Sequence, residues 1–171
     1  PLFWGGRVIP ARRSGRHREV VLPDGRRGWT EALGLATGTR PTTSLPERAR
    51  ELLGVPYLWG GRTPAGLDCS GLSQLLLAEQ GYRLPRDAGD QERACRPIGR
   101  SRPTEGDLAF FGASRSPAGH VGVMLGPSLY VHARGRVRIN SLDPSNDLYD
   151  SELSAGFRSV RRPQKPRLTR T

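Results

Sequence analysis

Cysteine is scarce in this sequence: only Cys69 and Cys95 occur, too few for a disulfide framework, so the chain is not a small scaffold stapled by bridges. Both are expected to be free thiols. No run of about 18 apolar residues is present, which excludes a membrane-spanning helix. Apolar residues make up 35%, on the low side but enough for one core in a chain of 171 residues. No Gly-Lys-Ser/Thr follows Gly60-Gly61, so the glycines do not form a phosphate-binding loop. Cys69, Cys95, His120 and His132 lack the close paired spacing of a structural zinc site. Internal repeats are absent. The chain starts at Pro1 without a signal-peptide pattern, as a processed or trimmed form would.

Acidic residues are also scarce at the chain ends. Residues 1–28 carry seven arginines against Glu19 and Asp24, and residues 158–171 carry five arginines and Lys165 with no acid. These ends account for the whole net charge of +11, leaving 29–157 neutral. Basic ends on a neutral body suggest attraction to a polyanion, either nucleic acid or an anionic envelope polymer. The plainer reading is a solvated Arg-rich surface, since Lys165 is the sole lysine. No aromatic residues interleave with the basic tail, which argues against specific nucleic-acid binding.

Residues 1–36 read as short β segments: Val8-Ile9, then Val20-Val21-Leu22, the turn Pro23-Asp24-Gly25, and Gly28-Trp29. Residues 37–43 have linker composition. Ser44 and Glu47 form a capping box for a helix with Pro46 in its first turn and Leu45, Ala49, Leu52 and Leu53 on one face. Asp87 is placed to cap a short helix running to about Arg93. From residue 107 the pattern is β, with runs at 107–111, 121–125, 129–132 and 137–139, and 157–160 as a last edge strand. Residues 162–171 are expected to form a basic disordered tail.

The stretch Asp68-Cys69-Ser70-Gly71-Leu72 follows a run of turn formers and opens a helix in which Leu72, Leu75 and Leu76 share a face with Cys69, ending near Gly81. The free amides and dipole of a helix N-terminus favour a thiolate and are expected to lower the thiol pKa. The alternative is an inert buried thiol. A cysteine nucleophile needs a base, and that base needs an orienting group. His17 lies in a polar Arg-rich turn, whereas His120 opens one strand and His132 ends the next, so a hairpin could set the two imidazoles side by side. A cysteine at a helix start facing a histidine on a sheet is the papain-type arrangement.

Tyr57-Leu58-Trp59-Gly60-Gly61, Asp68-Cys69-Ser70-Gly71-Leu72, Leu84-Pro85-Arg86, Gly106-Asp107-Leu108, His120-Val121-Gly122 and His132-Ala133 occur in this order. Together they resemble the NlpC family of papain-like cysteine peptidases of the bacterial cell wall, over residues 45 to about 140. That resemblance implies Cys69 as nucleophile, His120 as base and His132 as its orienting group. It also implies an oxyanion role for Tyr57, binding of a peptidoglycan stem peptide by Asp68 and Ser70, and capture of a free amine by Asp87. For Asp68, Ser70 and Asp87 the competing role is helix capping, and for Trp59, Gly60 and Gly61 it is shaping the turn. Two departures stand out: Ala88 replaces a frequent Ser, and Glu105 replaces the usual Pro before Gly106-Asp107.

The sequence thus points to an α+β papain-like domain, helices packed on an antiparallel sheet, over 44–161. It is preceded by a partial SH3-like β module at 1–36, a module that in relatives can wall off one end of the cleft. The resemblance implies a cysteine endopeptidase cutting peptidoglycan stem peptides between γ-D-glutamate and a diamino acid, with no cofactor. A thiol-dependent amidase or acyltransferase on the same fold, and a non-catalytic cell-wall or nucleic-acid binding module, are the alternatives. Location follows the substrate: secreted or in the cell envelope, or else cytoplasmic in the recycling of wall fragments.

Overall fold

A computed structural model describes residues 4, 6, 8–32, 35, 43–99 and 102–165. Two compact units divide the chain, Pro1–Arg40 and Pro41–Thr171. The expected linker lies almost entirely outside the described residues.

In the first unit, three antiparallel strands, β1 (Ile9–Ser14), β2 (His17–Val21) and β3 (Arg27–Glu31), form a meander in sequence order. The Pro23-Asp24-Gly25 turn joins β2 to β3, with Gly25 at φ 84°, a conformation suited to glycine. The Gly15 hairpin that joins β1 to β2 was not anticipated from sequence; its signal is the Ser14-Gly15 step within an Arg-rich run. Among the described residues three strands make an open sheet, which is β-rich as expected but carries no mark specific to an SH3-like module.

The second unit begins with helix α1 (Leu45–Glu51), held by the expected capping box between Ser44 and Glu47, an interaction worth about 1 kcal/mol. Leu53, expected on its apolar face, is exposed instead. A two-stranded hairpin, β4 (Arg62–Thr63) and β5 (Gly66–Leu67), leads into α2 (Cys69–Glu79), and α3 (Ala88–Ala94) and short β6 (Arg96–Pro97) follow. Strands β7 (Leu108–Phe111), β8 (His120–Met124), β9 (Leu129–Arg134) and β10 (Arg136–Ser141), then α4 (Ser151–Ser154) and β11 (Phe157–Arg162), complete the unit. The six-stranded sheet runs β10-β9-β8-β7-β11-β6, all antiparallel.

Strands β7 and β8 are buried on both faces, which is why they read as continuous apolar runs. By register Leu108, Phe110, Val121 and Val123 share one face, while Ala109, Phe111 and Met124 join Tyr130 and Leu153 in a core cluster on the other. Helix α2 packs across β8 and β9 and buries Leu72, Leu75, Leu76 and Leu77.

Two expectations are corrected here. Segment 157–160 pairs on one side only, with β7, but it does not end the sheet: β11 runs on to Arg161 and Arg162, where β6, too short to announce itself in sequence, pairs outside it. Arg162 accordingly belongs to the sheet rather than to a tail, and the described part of the tail is 163–165. Its guanidinium donates to both carboxylate oxygens of Asp107 (2.7 and 2.8 Å), and Thr104 donates to the same group.

Asp107 is almost completely buried, at 2% side-chain exposure. Burial pushes its carboxyl up, but the bonds from Arg162 and Thr104 outweigh this and hold it below the ordinary carboxylate range. A depressed folded value stabilises the protein above the unfolded pKa of about 3.9, and that contribution is lost as pH falls through the lower folded value. Asp107→Asn is expected to cost about 2 kcal/mol at pH 7, the scale of lost charge-assisted hydrogen bonds rather than of a stranded buried charge, because Arg162 reaches solvent. Urea melts should show that deficit at pH 7 and its shrinkage below pH 4.

Candidate active site

Asp68 sets the geometry around Cys69. Its side chain caps α2 by accepting from the Gly71 N–H (2.6 Å) and also accepts from the Gly60 N–H (2.9 Å), tying the glycine loop to the helix start. The approach is close: a Cβ on Gly71 would lie 2.1 Å from the Gly61 carbonyl oxygen, and one on Gly61 would lie 2.4 Å from that of Gly66. Gly60 has φ 79°. Gly60 and Gly61 are therefore structural. Trp59, expected to help shape the turn, stands 87% exposed at the cleft rim.

Arg86, to which sequence reasoning gave no role, pairs with Asp68 and donates to the Ser70 hydroxyl (2.8 Å). Burial pushes the Asp68 carboxyl up, but the Arg86 guanidinium and the Gly71 and Gly60 amides hold it below the ordinary value. Ser70 is buried and its hydroxyl is bound within this network. Asp87 occupies the N-cap position of α3, yet its side chain makes no capping bond, contrary to the capping alternative. It lines the same cleft as Cys69.

Cys69 is buried at the first position of α2 and is a free thiol, as is Cys95. Contrary to the expectation of a lowered pKa, burial pushes the Cys69 thiol up, and the Asp68 carboxylate adds to this. The amide N–H groups of Val121, Ser70 and Cys69 itself act the other way and favour the thiolate without prevailing. Cys95 lies deep in the fold with its thiol pushed up to about 11.

His120 and His132 are brought together: His120 opens β8 as expected, whereas β9 continues to Arg134, so His132 sits mid-strand and fully buried. Gly122 faces His132 across the β8–β9 ladder, which makes His120 and His132 diagonal neighbours on one face. A Cβ on Gly122 would press on the Tyr130 ring at 2.6 Å and on the Val131 carbonyl oxygen at 3.2 Å, so glycine leaves room for Tyr130 beside His132. His120 Nε2 lies 2.9 Å from His132 Nδ1, and His132 Nε2 lies 2.7 Å from Asn140 Oδ1.

Asn140 was missed from sequence. Its amide nitrogen donates to the Leu148 carbonyl (2.8 Å), which turns its oxygen toward His132. That oxygen can only accept, so His132 carries its proton on Nε2 and accepts on Nδ1, and His120 donates from Nε2. The His120 Nδ1 lone pair is then free to take a proton. Burial and the neighbouring His132, Arg134 and Arg138 push His120 down to about 3; burial likewise brings His132 to about 4 despite its bond to Asn140. Both rings are neutral bases near neutral pH.

Tyr57 has its backbone N–H bonded to the Gly135 carbonyl (2.9 Å), and its hydroxyl is pushed up by burial and by the nearby Cys69 and Asp68. It lines both hollows that meet at the site, one of about 680 Å³ containing Cys69 and one of about 390 Å³ containing His120. His17 lies in the first unit, on β2.

The sequence profile of the NlpC/P60 family matches residues 54–157. This chain belongs to the NlpC/P60 family. Its NlpC/P60 domain is 37% identical over 106 residues to a γ-D-glutamyl-L-lysine dipeptidyl-peptidase of Bacillus subtilis, covering 60% of this chain and 36% of that protein. It is 45% identical over 107 residues to the bifunctional muramidase/DL-endopeptidase CwlT of the same organism, covering 61% of this chain and 30% of the relative. A solved NlpC/P60 structure from Bacillus cereus superposes over 91% of this chain and 53% of its own length, with a TM-score of 0.75 at 24% identity, which supports the fold. The chain spans less than half the length of the curated relatives it matches.

Iodoacetamide is expected to label Cys69 well before Cys95 at neutral pH, and His120→Ala should slow labelling of Cys69 at least tenfold. Equal labelling of the two thiols would contradict this assignment. Asn140→Leu frees the His132 tautomer, so imidazole ¹⁵N spectra should lose the Nε2–H signature and turnover should fall about tenfold or more.

Proposed function

We propose that the protein is a cysteine endopeptidase that hydrolyses peptidoglycan stem peptides at the bond between γ-D-glutamate and a diamino acid. The observation that carries this reading is a thiol at the start of α2 and a neutral, tautomer-fixed imidazole pair, which line two hollows sharing Tyr57 and Gly119, in a domain of the same family as named peptidases. Cys69 Sγ attacks the scissile carbonyl as His120 Nδ1 takes its proton. The Cys69 N–H and the Tyr57 hydroxyl stabilise the oxyanion, and His132 orients His120. The C–N bond breaks as His120 returns the proton to the leaving amine. Water, deprotonated by His120, then cleaves the thioester to a carboxylic acid and the free thiol.

The acyl-side hollow suits the remainder of such a substrate. A γ-linked glutamate keeps a free α-carboxylate, for which Arg86 is the cation beside Ser70, and Asp68 holds Arg86 in place. Asp87, with no capping bond, is the anion for a free α-amine. Mass spectrometry of muropeptides incubated with the protein should show cleavage after γ-D-glutamate. Cys69→Ala and His120→Ala should abolish it, since general acid–base transfer is worth roughly 10²–10⁴ in rate. His132→Asn should retain measurable turnover. Intact muropeptides with the wild-type protein would overturn the proposal, and products lacking another bond would redirect it to an amidase.

The basic ends are proposed to hold the enzyme to anionic polymers of the wall, outside the chemical step. Deleting residues 163–171 should weaken binding to isolated sacculi and leave turnover of a small soluble muropeptide unchanged. Added salt should mimic the deletion, because screening at about 0.15 M already limits exposed charges to roughly 8 Å. Tight, sequence-selective nucleic-acid binding at that salt would contradict this role.

A further inference from the structure

Two hollows meet at the site and divide its components. The larger contains Cys69, Arg86 and Asp87 but not His120; the smaller contains His120 but not Cys69, and Tyr57 and Gly119 line both. The group that protonates the leaving amine must lie within hydrogen-bond reach of it. A substrate spanning the site therefore places its acyl part beside Cys69 and the residue after the scissile bond in the hollow that contains His120.

The walls of this second hollow are apolar: Phe111, Ala133, Leu153 and the Tyr57 ring. Its fixed charges are Arg134 and Glu152, paired at 2.9 Å. The two differ in how firmly they are held. Arg134 also lies 3.9 Å from the Asp150 carboxylate, which is itself fixed by capping α4 and by Arg138. Glu152 has no second partner among the bonds described and is 79% exposed. The Arg134–Glu152 bond is thus the contact that a ligand can exchange, with Arg134 held in place from behind by Asp150.

An apolar hollow that carries one cation and one anion matches an aliphatic side chain that carries one anion and one cation. We propose that this hollow is the subsite for the leaving diamino acid, and that it selects a side chain carrying an ammonium and a carboxylate on the same terminal carbon. Glu152 receives the ammonium and Arg134 the carboxylate, exchanging their mutual bond for two charge-assisted ones. A lysine side chain satisfies Glu152 alone, and amidation of the terminal carboxylate removes the contact with Arg134. This inference rests on the proposed cleavage after γ-D-glutamate.

The test uses three peptides, L-Ala-γ-D-Glu-X, with X as meso-diaminopimelate, its side-chain carboxamide, or L-lysine. Wild-type protein should cut the first with a kcat/KM about fivefold above the other two, the scale of a partly exposed ion pair. Arg134→Gln should collapse the ratio of acid to amide to about one, chiefly through KM. Glu152→Gln should weaken all three, since each carries the ammonium. Thermal melts will register any loss of fold in either variant. If wild-type protein cuts all three peptides equally, or Arg134→Gln leaves the acid-to-amide ratio intact, this subsite is wrong while the peptidase assignment stands. If none of the three is cut, both fall.

Discussion

The Asp68 carboxylate is the interaction on which the rest of the site depends. One side chain terminates α2 through Gly71, anchors the loop ahead of it through Gly60, and holds Arg86 against Ser70. These contacts fix where Cys69 sits and which amides face its sulfur. They work only because glycines at 61 and 71 let two backbone segments approach closer than any Cβ would allow. A buried carboxylate is costly unless its oxygens are satisfied, and here two amides and a guanidinium do so. Capping and positioning are thus two consequences of one set of bonds.

The second constraint is electrostatic. Burial resists charge on Cys69 and on both histidines, pushing the thiol up and the imidazoles down. A neutral imidazole has one nitrogen that donates and one that accepts, and the His132–Asn140–Leu148 chain decides which is which in His120. Each member determines which nitrogen of its neighbour bears the proton. Charge on Cys69 or on either histidine is disfavoured by burial, and for Cys69 the Val121, Ser70 and Cys69 amides are the groups that offset it.

Much of this was legible in sequence because the signals are local. Helix α2 showed itself through leucines on the face of Cys69, α1 through its capping box, and the paired imidazoles through two β runs joined by a short turn. Local reasoning failed where the deciding contact is distant. The two-residue strand β6 carries no periodicity, so β11 was taken for an edge. Arg162, at the end of a basic run, resembled tail until its partner Asp107 was seen, 55 positions away in sequence. Asn140 is an ordinary polar residue until the tight hairpin at Gly135 brings β10 back alongside β9.

By itself, the sequence determined the elements that carry Cys69, His120 and His132 and the family, and it singled out these three residues as the candidates for the chemistry. Those features depend on residue type and on spacings of a few positions, which one helix turn or one strand period already defines. Tertiary structure decided the protonation behaviour of the thiol, the tautomers of both rings, the release of Asp87 from capping and the pairing of Arg86 with Asp68. It also decided the separation of the cleft into a Cys69 side and a His120 side. Each of these depends on burial or on the distance between groups far apart in the chain, and neither quantity exists until the sheet and α2 are packed together.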